Sequence, residues 1–206
     1  VRYNGYHELS YLHPNYFEPD SSVLELMKLK KGEKFIIVRF VSWGASHDIG
    51  KSGLPLSIKK GIVNKISKNA KVFITSEGNL PVGLDKYRIK IPTEKMHDAL
   101  YFASLYLGES ATMATESAML GTPAIFVSTV NSAENTGNFK ELSEKYNMVE
   151  CYSPSEISLG SLTERCLNLI SDDIKEEYRA KRERMLLDKI DVTSFMIEFV
   201  SNGRIC

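Results

Sequence analysis

Short β-branched runs alternate with segments of helical period along most of this chain, and that alternation leaves few architectures open. "KFIIVRFV", "KVFITS", "YRIKI", "LYLG", "PAIFVS" and "MVECY" read as six strands: short, apolar and bounded by turn residues. Between them, "PLSIKKGIVNKISKN" places Ile58, Ile62, Val63 and Ile66 on one helical face. "TEKMHDALYFASL", "SATMATESAML" and "NFKELSEKYN" are further helices, and Gly121 sits where it stops the second of these. Three helical patterns close the chain, over 154–170, 173–190 and 192–202. Strand–helix alternation means βαβ crossovers, so the expected fold is α/β: a doubly wound, mostly parallel, Rossmann-like sheet with C-terminal helices. In such sheets ligands sit beyond the carboxyl ends of the strands. Three loops rich in small polar residues leave those ends, at 42–53, 108–112 and 128–138.

The first twenty residues, "VRYNGYHELSYLHPNYFEPD", lack a clean period and carry Pro14 and Pro19 as breakers. They read as an irregular arm, followed by a short helix in "SSVLELMKL" capped by Ser21 or Ser22. Residues 1–32 are therefore expected to be a connector and 33–206 the domain. The chain begins at Val1 rather than methionine and reads as the interior of a longer protein. Lys plus Arg equals Asp plus Glu, 26 each, which argues against a nucleic-acid partner held by counterion release. The three cysteines form no C-x-x-C pair, so free thiols in a reducing cytoplasm are expected, without a zinc site. No run of about 18 apolar residues is present, so no membrane span is expected.

"WGASHDIGKSG" looks at first like a phosphate loop of a nucleotide triphosphatase. That signature needs four residues between its glycine and Gly-Lys-Ser, and here five intervene, Ala45 to Ile49. Gly53, Leu54 and Pro55 also separate the lysine from the helix it should open. Two readings stay open: a plain connection, or a strand-to-helix loop in which Ser42, Gly44, Ala45 and Ser46 let phosphates approach the backbone. "GESAT" resembles a nucleophile elbow, but its last glycine is Thr112, and all four histidines precede Ser110, the wrong order for that hydrolase.

The small residues Ser110, Ala111 and Thr112 instead leave a helix amino end open to an anion. Glu116, about a turn and a half along, is either a solvated or capping helix residue or a carboxylate placed to take the hydroxyls of a ribose. Together these fit one nucleoside diphosphate. Asn131, Asn135 and Gly137 belong either to an ordinary polar turn ending in an Asn138 cap or to an uncharged surface for sugar hydroxyls. His47 and Asp48, adjacent in a loop, do not readily face each other as an acid–base pair. His97, beside Met96, reads as structural or as a contact to a base.

"ESATMATESAMLGTPAIFV" is similar to the nucleotide-sugar segment of GT-B glycosyltransferases, of the peptidoglycan GlcNAc transferase, and of the non-hydrolysing UDP-N-acetylglucosamine 2-epimerases. With "GYHELSYLHP", "VRFVSWGASHDIG", "VFITSEGNLP" and "MHDALYFASLYLGES", it resembles a GT-B-like family of archaea and bacteria over nearly the whole chain. The resemblance implies a donor domain for a nucleotide-linked sugar, with UDP as the nucleotide, working without metal or other cofactor. It implies Glu116 at the ribose; Ser110, Ala111 and Thr112 at the diphosphate; Ser42 to Ser46 as the loop after the first strand, here poorer in glycine; and Thr93 to Met96 near the base. It also implies a second, amino-terminal Rossmann-like domain holding the acceptor and often the base, against which the last helix packs. Such a piece alone would bind donor without turnover. An epimerase would need carboxylates for proton abstraction and elimination, and Glu109 and Glu116 are the candidates in this loop and helix; a nucleotide-binding module that keeps the fold without catalysis is the third reading.

Overall fold

A computed structural model of the chain describes residues 1–30, 32–41, 53–76, 78–129 and 137–202. Five strands, β1 (Phe35–Phe40), β2 (Lys71–Ser76), β3 (Leu105–Gly108), β4 (Ala124–Val127) and β5 (Val149–Tyr152), form one parallel sheet in the order β2-β1-β3-β4-β5. Every residue of β3 and β4 is buried, which is why both read as unbroken small or apolar runs. The edge strands β2 and β5 bury only part of their length.

The helices are α1 (Leu9–Leu12), α2 (Ser22–Leu26), α3 (Leu56–Ile66), α4 (Met96–Phe102), α5 (Ala111–Met119), α6 (Gly137–Lys140), α7 (Leu159–Leu169), α8 (Asp172–Asp188) and α9 (Val192–Ser201). From β1 the chain moves outward to β2, then crosses back over β1 to β3 and on to β4 and β5. With right-handed crossovers this puts α3 on one face and α4 and α5 on the other. The packing agrees, since α3 rests on α7 while α4 rests on α5. The winding reverses between β1 and β3, so their carboxyl ends flank the crevice where such sheets take ligands.

Helix α5 is built at both ends by its sequence. Ser110 is extended and its hydroxyl accepts from the Met113 N–H, capping the start. Gly121, at φ +75°, takes the left-handed turn past the end. There the Gly121 N–H donates to Ala118 O and the Thr122 N–H to Ser117 O. The long α8 then crosses the carboxyl ends of α4 and α5. Lys175 donates to the carbonyls of Phe102 and Ala103 at 2.7 and 3.2 Å, and Arg182 Nε to that of Met119 at 2.7 Å. Cations on these last carbonyls satisfy orphan acceptors and favour the helix dipoles.

Two expectations change. "YRIKI" is not a strand: a 3-10 turn, Asp85–Tyr87, leads to a single bridge between Arg88 and Ile74. Asn138 lies within α6 rather than at its cap. The arm packs into the body of the fold. It forms α1, and Tyr6, Leu9, Leu12 and Val23 are at most 1% exposed within the main core. Its polar groups reach the other end of the chain: Tyr6 donates to Glu141 at 2.7 Å, Asn4 O accepts from the Ile190 N–H, and Thr193 donates to Ser10 O. No helix among the described residues is long and apolar enough to cross a membrane.

Candidate functional site

The tip of α5 stands at the carboxyl end of β3. Ala111 and Thr112 are exposed there, and their N–H groups meet no acceptor among the described residues. Two open donors and the positive end of a helix dipole make a place for an anion. The Ser110 hydroxyl faces its own helix as a cap, and no histidine among the described residues bonds to it.

Glu109, one residue before the cap, is fully committed. Its side chain is 0% exposed. It accepts from the Val41 N–H at 2.8 Å, the Leu54 N–H at 2.7 Å and the Lys59 ammonium at 2.9 Å. Val41 follows β1 and Leu54 precedes α3, so this one carboxylate ties together both ends of the β1–α3 connection. Gly108 is needed beside it, because a Cβ there would stand 2.5 Å from Tyr106 Oη and 2.8 Å from Arg39 Cβ.

Glu116 is held differently. Its Oε1 accepts from the Tyr11 hydroxyl at 2.9 Å and pairs with His97 Nε2 at 3.1 Å, a bond made with the proton on Nε2. Its Oε2 takes no partner among the described residues, and 11% of the side chain remains open. The Tyr11 and His97 rings lie 5.5 Å apart at 33°, and Phe17 meets His97 edge-on at 6.3 Å. Burial, together with the Glu116 charge, holds the Tyr11 hydroxyl well above the usual phenol range, so it stays a donor. Burial also raises the nearby Glu8 carboxyl, whose buried Oε2 meets no partner among the described residues.

Of the residues expected from sequence, Ser110, Ala111, Thr112 and Glu116 share α5, and Met96 opens α4, where its neighbour His97 touches Glu116. Gly137 opens α6, with nothing among the described residues within 4 Å of where a Cβ would stand. Ser42, Gly44, Ala45, Ser46, Asn131 and Asn135, with His47 and Asp48, lie outside the described residues. Tyr11 and Glu8 were not expected, since a local pattern carries no mark of a bond between residues 105 apart in sequence. Two hollows of about 590 and 680 Å³ lie at the opposite end of the sheet, beside Phe35 and Lys71 at the starts of β1 and β2. No group of three or more metal-ligating side chains occurs among the described residues.

No family model and no curated protein matches the sequence. Solved structures do match the fold. The glycosyltransferase SnogD from Streptomyces nogalater aligns at 13% identity and TM-score 0.54 over 98% of this chain and 48% of its own. The glycosyltransferase VinC, solved in complex with dTDP, aligns at 13% identity and TM-score 0.53 over 82% of this chain and 41% of its own. A UDP-N-acetylglucosamine 2-epimerase aligns at 14% identity and TM-score 0.52 over 85% of this chain and 43% of its own. The chain thus has the α/β fold of one half of GT-B glycosyltransferases and of this epimerase, and spans less than half the length of these three solved chains.

Proposed function

We propose that this chain is the donor half of a glycosyltransferase-like protein and binds a nucleoside diphosphate-sugar, with UDP as the nucleotide. The observation that carries the reading is the pairing on α5 of an open amino end with a carboxylate about a turn and a half further along. Diphosphate oxygens accept from the Ala111 and Thr112 N–H groups, and a pentose hydroxyl donates to Glu116. The start of α4, with Met96, lies near the base. The Ser42–Ser46 loop and the Asn131, Asn135 and Gly137 turn complete the walls around phosphate and sugar. VinC, solved with dTDP, has the same fold and supports a nucleotide here.

A second domain supplies the acceptor site and the base in this reading, so the chain alone binds donor without turning it over. The epimerase alternative is weaker on one count. It asks proton chemistry of Glu109, whose oxygens already hold two N–H groups and an ammonium. Calorimetric titration with UDP, UDP-GlcNAc, uridine and ATP tests the proposal. UDP and its sugar are expected to bind, uridine at least about tenfold more weakly for want of the diphosphate, and ATP more weakly than UDP. No heat with UDP or UDP-GlcNAc, or a preference for ATP, overturns it.

A further inference from the structure

An ionised carboxylate offers about four acceptor positions, two on each oxygen. Each half of a ribose diol usually takes one oxygen of such a group. At Glu116 both positions of Oε1 are already used, by Tyr11 at 2.9 Å and His97 at 3.1 Å. Neither donor gives way readily: the two rings pack on each other, Phe17 braces the imidazole, and α1, which runs to Leu12 beside Tyr11, packs against α5. Only Oε2 remains for a ligand. Two vicinal hydroxyls converge on a single oxygen only with poor donor angles, so one hydroxyl bonds well and the other does not.

We infer that Tyr11 and His97 set the pentose specificity of this site, confining Glu116 to a single sugar hydroxyl so that ribo- and 2′-deoxyribonucleoside diphosphates bind alike. Tyr11 and His97 are positioning residues here, since they act through Glu116. This rests on the proposed nucleotide site and adds the class of nucleotide it takes.

The test compares UDP with 2′-deoxy-UDP by calorimetry, first on the unaltered chain and then on Tyr11→Phe. The unaltered chain is expected to bind the two within about threefold, against the tenfold or more that a hydrogen bond to a charged group ordinarily confers. Tyr11→Phe frees one position on Oε1 and is expected to raise the preference for UDP to about tenfold. His97→Phe, which frees the other position, gives the same rise if Tyr11→Phe fails to fold. A preference of tenfold or more in the unaltered chain overturns the inference, as does an unchanged ratio in a folded variant. Binding of neither nucleotide removes the proposed function itself, and the specificity with it. A merely structural role for Tyr11 predicts a lower melting temperature with no change in the ratio, which also overturns it.

Discussion

Glu109 and Glu116 are both buried, belong to the same strand–turn–helix unit, and do opposite things. Glu109 has a donor for every oxygen and faces three groups of its own chain. Glu116 has one oxygen filled and one left over. A buried carboxylate with all its partners is a structural fastening, because removing it strands buried donors and an ammonium. A carboxylate held by one oxygen is oriented and still has acceptor capacity, the state a binding residue needs. Exposure alone does not separate them, at 3% and 8%; the count of partners does.

The largest expected effect of that difference is on stability. Glu109→Ala is expected to cost about 3–5 kcal/mol, since it leaves Lys59 and two N–H groups without the carboxylate that accepts from them. A scanning calorimeter would register this as a fall of roughly 6–20 °C. Glu116→Ala is expected to cost only about 1 kcal/mol and yet weaken UDP at least about tenfold. Equal destabilisation by the two substitutions breaks the contrast. So does a Glu116→Ala protein that binds UDP like its parent.

A smaller loss is expected from Gly108→Ala. Its new methyl must displace Tyr106 Oη and press on Arg39 Cβ beside the Glu109 fastening. About 1–3 kcal/mol, measured by urea denaturation, is the expected range for such overpacking. No loss would mean that the strand end beside Glu109 is looser than its contacts indicate.

Smaller again is a pH effect at the far end of α4. Burial, with Arg179 adding to it, pushes the Lys175 amine down to about 8. Its unfolded value is the ordinary 10.5, so between these limits the unfolded chain binds more protons than the folded one. Stability therefore gains with rising pH across that window, by at most about 1.4 kcal/mol per pH unit. Lys175→Met removes that contribution, so the parent's advantage over the variant is expected to grow from pH 8 to pH 10. A difference flat with pH would show that Lys175 is not desolvated where it caps α4.

These contrasts show what a linear reading can reach. The five strands were readable because β3 and β4 bury both faces and β1 nearly so, leaving β-branched and small apolar runs with turn residues on either side. The open tip of α5 was readable because Ser110, Ala111 and Thr112 are small whatever surrounds them. "YRIKI" misled because it has a strand's alternation, yet it lies outside edge strand β2 and soon meets Pro92, which has no N–H to donate. The packing of the arm was not readable. Its prolines and aromatics lack a period, but Tyr6 and Tyr11 find Glu141 and Glu116 at separations of 135 and 105 residues. Nothing local distinguishes Glu109 from Glu116 either; their roles are set by Val41, Leu54 and Lys59 on one side and by Tyr11 and His97 on the other.

The central claim for α5 is an anion at its open end, and Thr112→Asp tests this most directly. An acidic residue in the first turn suits a helix dipole, and Thr112 is exposed, so the melting temperature should hold or rise slightly. A bound diphosphate would face that new charge at close range. UDP affinity is therefore expected to fall at least about tenfold in an unimpaired fold. A Thr112→Asp protein that melts like its parent and binds UDP as tightly would contradict the assignment.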